Sequence, residues 1–370
     1  MGRQYDIIVI GAGIYGSTSS FFLKNEKNKV LLIEKGKVGS CGATRYSRGI
    51  VRVTDPDIYH SQISYASIID FLKWKELKYP GNSPFMSSGF LYLMEEQKLP
   101  NIENVYNFVD SNLYPINVLS KSRLRQIAPW LNNFENKVGI YERFGGYGSP
   151  TQTATNFMQG FLSKGGELFD NCRVLQIHPG KSNSWDVHLS EGILNTKVLL
   201  ITTGAFTNEL LKNLPIYTRS ISLVHTNAIQ RRIPFPIVDE AIETYIIPGF
   251  GKSYYAGNQK FEKSKTPMGL DYDCKEGVND AVERINKLLM PSFVGTPLNC
   301  VTGFDAYTKI KRPIVQFSPN HNGLYIATGF SGRGYKCCIS VSKHIAAEIN
   351  GYLEEKSVVN PIAWSYKLPC

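Results

Sequence analysis

The chain has 370 residues, 42% of them hydrophobic, more than one core usually supports, so two intimately joined domains are the expected organisation. Its net charge of +10 raises nucleic acid as a partner, yet Lys24, Lys27, Lys29, Lys35 and Lys37 gather about one helix–strand turn and read as a solvated rim, so none is expected; such a field suits small anionic partners. Seven scattered cysteines without a CxxC pair exclude a disulfide framework and a cysteine zinc site, and no metal is expected. No apolar run is long enough for a bilayer, and residues 1–4 lead straight into the first expected strand; a cytoplasmic protein without a transmembrane segment is the expectation.

The first element is the most informative. Asp6-Ile7-Ile8-Val9-Ile10 reads as a buried strand, Gly11-Ala12-Gly13 as a tight turn and Ile14 to Lys24 as a helix, with a second apolar run, Val30 to Ile33, ending at Glu34. Gly11 permits the turn, Gly13 lets a pyrophosphate approach the backbone, and Gly16 lets the helix pack on the sheet. The first helical N–H groups, at Ile14 and Tyr15, are unpaired and sit at the positive dipole end, which favours phosphate. Glu34 is placed to bond a ribose hydroxyl, with Lys35 beside it.

Two further segments carry the same character. One runs from Gly145-Gly146-Tyr147-Gly148-Ser149-Pro150 through a helix over Thr153 to Lys164, a strand over Arg173 to Ile177 that includes Val174, and the run Val198 to Gly204 with Thr203. The other is a strand over Leu324 to Thr328, the turn Gly329-Phe330-Ser331-Gly332-Arg333-Gly334, and a helix from Ser340 to Asn350. Between them lie β-rich runs, Ser88 to Leu93, Tyr217 to Ile229, Thr244 to Ile247 and Ser253 to Gly257, whose alternation predicts an antiparallel sheet. The expected fold is α/β, α+β overall: a discontinuous Rossmann-like domain over 1–79, 145–205 and 311–370, interleaved with an antiparallel-sheet substrate domain over 80–144 and 206–310. A glycine turn near each end of the chain suits a long ligand touched at both ends, so FAD fits better than a nicotinamide nucleotide.

Gly42-Ala43-Thr44-Arg45-Tyr46-Ser47-Arg48, Gly145-Gly146-Tyr147, Thr203-Gly204-Ala205-Phe206 and Gly329 to Lys336, together with the first fingerprint, resemble the FAD-dependent amine and amino-acid oxidoreductases, the family of D-amino acid oxidase, glycine oxidase and monomeric sarcosine oxidase. The resemblance spans nearly the whole chain. It implies that Arg48 and Lys336 grip a substrate carboxylate, that Arg45 and Thr44 lie near the cofactor, and that Gly329, Gly332, Arg333, Gly334 and Tyr335 belong to the second cofactor turn. It places Tyr307 at the substrate and implies oxidation of an amino-acid C–N bond to the imine. Two cations on one carboxylate make chemical sense in a water-poor pocket.

The departures from the family pattern carry their own expectations. Asp305 stands where sarcosine oxidase attaches flavin through cysteine, so FAD is expected to be held noncovalently. Tyr255 stands where a lysine assists dioxygen; Lys252, three residues upstream, is the substitute, although an odd shift along a strand points it to the other face. Gln259 and Arg333 stand where the family has histidines. Tyr254, Tyr255, Tyr307 and Tyr335 are candidates to enclose an apolar group of an amino or cyclic imino acid. Dioxygen or another acceptor would reoxidise the flavin; the alternative is an electron-transferring flavin subunit of a multisubunit dehydrogenase, inactive without its partner.

Overall fold

The strand Gln4–Ile10 (β1) is apolar on both faces from Ile7 onward, and such a strand is stable only in the middle of a covered parallel sheet. The computed structural model, which describes residues 4–102, 105, 107–227 and 232–355, places it there. β1 pairs in parallel with Val30–Ile33 (β2) on one side and with Gly192–Ile201 on the other. Beyond β2 lies Glu167–Phe169; beyond Gly192–Ile201 lie the parallel strand Leu324–Thr328 and an antiparallel hairpin, Gln176–Pro179 with Trp185–Leu189. The helix Ile14–Leu23 (α1) leaves β1 through Gly11, whose φ of +99° an L side chain rarely adopts. A Cβ at Gly16 would meet the Gly11 carbonyl oxygen at 1.7 Å. That approach seats α1 on the sheet, beside the helices Pro150–Ser163 and Cys338–Leu353.

The second sheet has nine strands and is antiparallel except where Ile237–Asp239 runs parallel to Phe90–Glu95. Its long strand Ile216–Asn227 shows how one sequence serves two faces. Thr218, Ser220, Ser222 and Val224 are buried, and Gly277 of the helix Lys275–Leu288 packs against Ser222. Arg219, Ile221 and Leu223 face the other way, into a cavity. A third sheet of three short strands, Ile50–Val51, Gly146–Gly148 and Phe85–Met86, lies between the other two in sequence.

The fold is therefore mixed α/β with two large sheets. Local differences from the sequence reading have physical causes. The strand expected over Arg173 to Ile177 begins only at Gln176, because Asn171 and Cys172 bend back to bond the carbonyls of Gly36 and Glu34 at 3.0 and 2.8 Å. The segment Cys172 to Leu175 lines the cavity instead. The expected run Tyr217 to Ile229 extends at its end outside the described residues, as do parts of the expected domains at both termini and Cys370. Among the described residues, no helix is long and apolar enough to cross a membrane.

Glu142 ties the second sheet to the segment that follows Ile50–Val51. Its buried carboxylate accepts the N–H groups of Val53 and Thr54 at 2.7 Å each, and the Tyr114 hydroxyl. Those bonds fix the backbone just before Asp55.

Candidate active site

One cavity of about 640 Å³ runs between the turn after β1 and the second sheet. At its first end it is lined by Gly11, Gly13, Ile14, Tyr15, Glu34, Lys35, Thr44, Val174, Thr203 and Gly204. α1 opens toward it with no acidic residue in its first turn and no side-chain cap, an arrangement open to an anion. The Ile14 N–H, expected to be unpaired, instead donates to Thr44 Oγ1 at 3.0 Å. Glu34 is buried and accepts the N–H groups of Ala12 and Gly36 at 2.7 and 3.1 Å. Lys35 sits 3.0 Å above the Phe206 ring centroid, and burial lowers its pKa. Gly16 and Gly329 stand behind the wall, not on it, while Arg45 is exposed and also off it.

At the other end the turn Phe330 to Lys336 faces Tyr307, Asp305, Arg48 and the second sheet. The Tyr15 ring stacks on Phe330 at 3.7 Å and its hydroxyl donates to the Gly334 carbonyl at 2.7 Å. Tyr335 shares a 2.9 Å hydrogen bond with Thr153. Asp305 accepts the N–H groups of Gly332 and Ala306 at 2.8 and 2.7 Å, yet burial outweighs those bonds and pushes its pKa up to about 6 from 3.8. A carboxyl raised in the folded state favours folding fully below its unfolded pKa near 3.8, and that contribution is lost as pH rises through 6. Thermal midpoints from pH 4 to 7 are expected to carry this downward component in the wild type and to lack it in Asp305→Asn; parallel profiles would contradict the assignment.

Lys336 is buried, and its ammonium lies 2.9 Å from Asp55 Oδ2. The same oxygen accepts Arg333 Nε at 3.0 Å and has Arg52 Nη2 at 3.6 Å. Asp55 Oδ1 takes the Asp57 N–H at 3.1 Å. The three cations hold the Asp55 pKa well below the ordinary value, against the desolvation that would raise it. Lys336, expected as a bare carboxylate grip, is thus already paired. Asp55 went unnoticed in the sequence, where Asp55-Pro56-Asp57 looks like a helix-start turn; Asp57 does cap the helix Ile58–Leu72, whereas Asp55 turns inward. The one signal was its i, i+3 spacing from Arg52. His60 is buried beside this cluster, where desolvation, with the Lys336 charge next, lowers its pKa to about 4.

Arg48 is exposed on the cavity wall, its guanidinium 4.1 Å above the Tyr255 ring, which stacks in turn on His225 at 4.6 Å. Tyr255 is off the wall. Lys252 lies exposed in the turn before Ser253–Gly257, also off the wall. Tyr254 faces away and is buried, its hydroxyl accepting the Gly295 N–H at 3.0 Å, so it encloses no ligand; the two-residue period sends neighbouring tyrosines to opposite faces. Tyr307 is on the wall beside Tyr217 at 5.7 Å, and burial raises its pKa. Arg219, which sequence reasoning passed over, also lines the cavity; its Nη2 donates to Gln259 Oε1 at 3.3 Å.

The family model described as FAD dependent oxidoreductase matches residues 6–348. The chain belongs to that family, and its cofactor is FAD. Among curated proteins, it is 23% identical to the peroxisomal sarcosine oxidase of Mus musculus, over 92% of this chain and 90% of that one. It is 24% identical to the monomeric sarcosine oxidase of Streptomyces avermitilis, over 94% of each. Among solved structures, glycine oxidase from Geobacillus kaustophilus superposes with a TM-score of 0.79 at 20% identity over all of both chains. L-proline dehydrogenase from P. horikoshii gives 0.81 at 22%, covering 98% of this chain and 97% of that one. At these identities the solved structures share the fold.

The residues present fit the cofactor: a Cβ at Gly13 would close to 3.2 Å on Thr44 Oγ1, so the glycine keeps open the cradle beneath α1, and the buried Glu34 carboxylate on the same wall would accept from a ribose hydroxyl. Bound there, FAD supplies a two-electron acceptor for hydride equivalents.

Proposed function

We propose that the chain oxidises the C–N bond of an amino acid or of a secondary or cyclic amino acid to the imine, with FAD held noncovalently. The observation that carries the reading is a single cavity with the glycine cradle at one end and Arg48, Tyr307 and Lys336 on its wall at the other. Arg48 takes the substrate carboxylate in a bidentate fork, and Lys336 adds a second positive charge whose position Asp55 fixes. The carbon–hydrogen bond next to nitrogen loses a hydride equivalent, the nitrogen loses a proton to solvent, and a C=N bond forms. Orientation and charge placement are the protein's part. The relatives named for sarcosine, glycine and L-proline support a small amino-acid substrate.

Dioxygen then reoxidises the flavin, giving hydrogen peroxide. The second reading, an electron-transferring subunit that needs a partner, is favoured by Tyr255 standing where the family has its lysine and by Lys252 facing solvent. Aerobic incubation with an amino-acid panel separates the two: peroxide in proportion to imine-derived oxo acid is expected, and reduction of an artificial dye with no peroxide would favour the second. Acid precipitation is expected to release the flavin into the supernatant; a yellow pellet would contradict noncovalent binding.

A further inference from the structure

The substrate end of the cavity holds more positive charge than one carboxylate uses. Arg48, Arg52, Arg219, Lys260, Arg333 and Lys336 stand on that wall, and among the described residues Asp305 is the acid that shares it. Asp55 lies behind, its side chain fully buried. Arg52, Arg333 and Lys336 converge on its single Oδ2, so three cations share one carboxylate and leave a surplus of two charges. Glu142, the other buried acid of the region, is committed to two backbone N–H groups and to Tyr114.

Donors as well as charge are left over. Arg52 is 14% exposed, its guanidinium lies 5.6 and 5.1 Å from the Phe90 and Tyr92 rings, and its Nη1 is buried with no hydrogen-bond partner. Arg333 gives Nε to Asp55 and reaches the Ser331 carbonyl with Nη1 at 3.5 Å; among the described residues its Nη2 donates to nothing. Both guanidinium groups line the cavity, Arg333 Nη2 is not enclosed, and a donor left without a protein partner there calls for an acceptor from the ligand.

We infer that the substrate carries a second carboxylate, received by Arg52 and Arg333 while Arg48 takes the one next to the amine: a dicarboxylic amino acid. The inference rests on the cavity being the site of amine oxidation. Asp55 is then a positioning residue that aims both guanidinium groups and keeps Lys336 from swinging into the second subsite. A planar fork suits a carboxylate, and a buried polar site discriminates strongly against an analogue lacking its partner.

The test uses the FAD-loaded protein and non-oxidisable anions. Succinate and glutarate are titrated against propionate and butyrate, with calorimetry and the flavin difference spectrum as readouts. The dicarboxylates are expected to bind at least tenfold more tightly, and Arg52→Met and Arg333→Met are each expected to shrink that ratio below threefold, with Arg52→Lys keeping part of it. Equal affinity in the wild type, or an unchanged ratio in both Met variants, overturns the inference. If a variant does not fold, the wild-type ratio decides. Anaerobic flavin reduction by N-methyl-L-aspartate against N-methyl-L-alanine keeps the two readings apart: equal reduction by both sinks the second carboxylate alone, and reduction by no amine at all sinks the proposed function itself.

Discussion

Replacing Asp55 by Asn is expected to lower the unfolding free energy by about 3–5 kcal/mol, the usual cost of removing one partner from a buried ion pair. The size follows from what is left behind. Lys336 is buried, and Arg333 and Arg52 lie close enough that all three now share one oxygen; without the carboxylate they repel one another in a medium that screens poorly. Burial already lowers the Lys336 pKa, and Asp55 is the largest influence holding it up, so the variant is expected to lower it further. Denaturant unfolding at pH 7 checks the first part. Asp55→Asn with Lys336→Met should recover part of the loss, because the least tolerable charge is gone. A change below about 1 kcal/mol, the range of exposed pairs, would mean that the cluster is not a buried one. In the wild type the depressed Asp55 pKa contributes stability above about pH 3.8 that is lost as pH falls below it.

Arg48→Met is expected to raise the apparent substrate constant at least about 30-fold while FAD content stays unchanged, since losing the charged partner of a carboxylate costs about 2–5 kcal/mol. Arg48 rests on the Tyr255 ring at the cavity wall, and burying its charge awaits the substrate, so the lower end of that range is the firm expectation. Tyr255→Leu should cost less, because it removes a resting place and no charge. Steady-state kinetics with flavin quantitation decide the matter, and unchanged kinetics in Arg48→Met would remove the residue from the site.

What the sequence disclosed was local. The turn Gly11 to Gly16 and the strand ending at Glu34 are legible because each glycine answers a steric demand within a few residues. Period-two alternation separates Tyr254 from Tyr255, and the same parity warned against Lys252. The Asp55–Lys336 pair was illegible, because its members stand 281 residues apart and meet only once Glu142 of the second sheet has fixed the backbone at Val53 and Thr54. Arg219 was hidden for a related reason: a strand pattern shows which residues share a face, and the packing of the sheet decides which face meets the cavity. The segment Cys172 to Leu175 has the composition of a strand, but its backbone bonds turn it into cavity wall.

The central claim is that one cavity holds FAD at its glycine end and an amino acid at its cationic end. Anaerobic titration of the purified, FAD-loaded protein with an amino-acid panel tests it most directly, read at the flavin's visible absorption band. Bleaching by at least one amino acid, abolished or greatly weakened in Arg48→Met, is the predicted result. A chain that is isolated colourless and takes up no added FAD would contradict it.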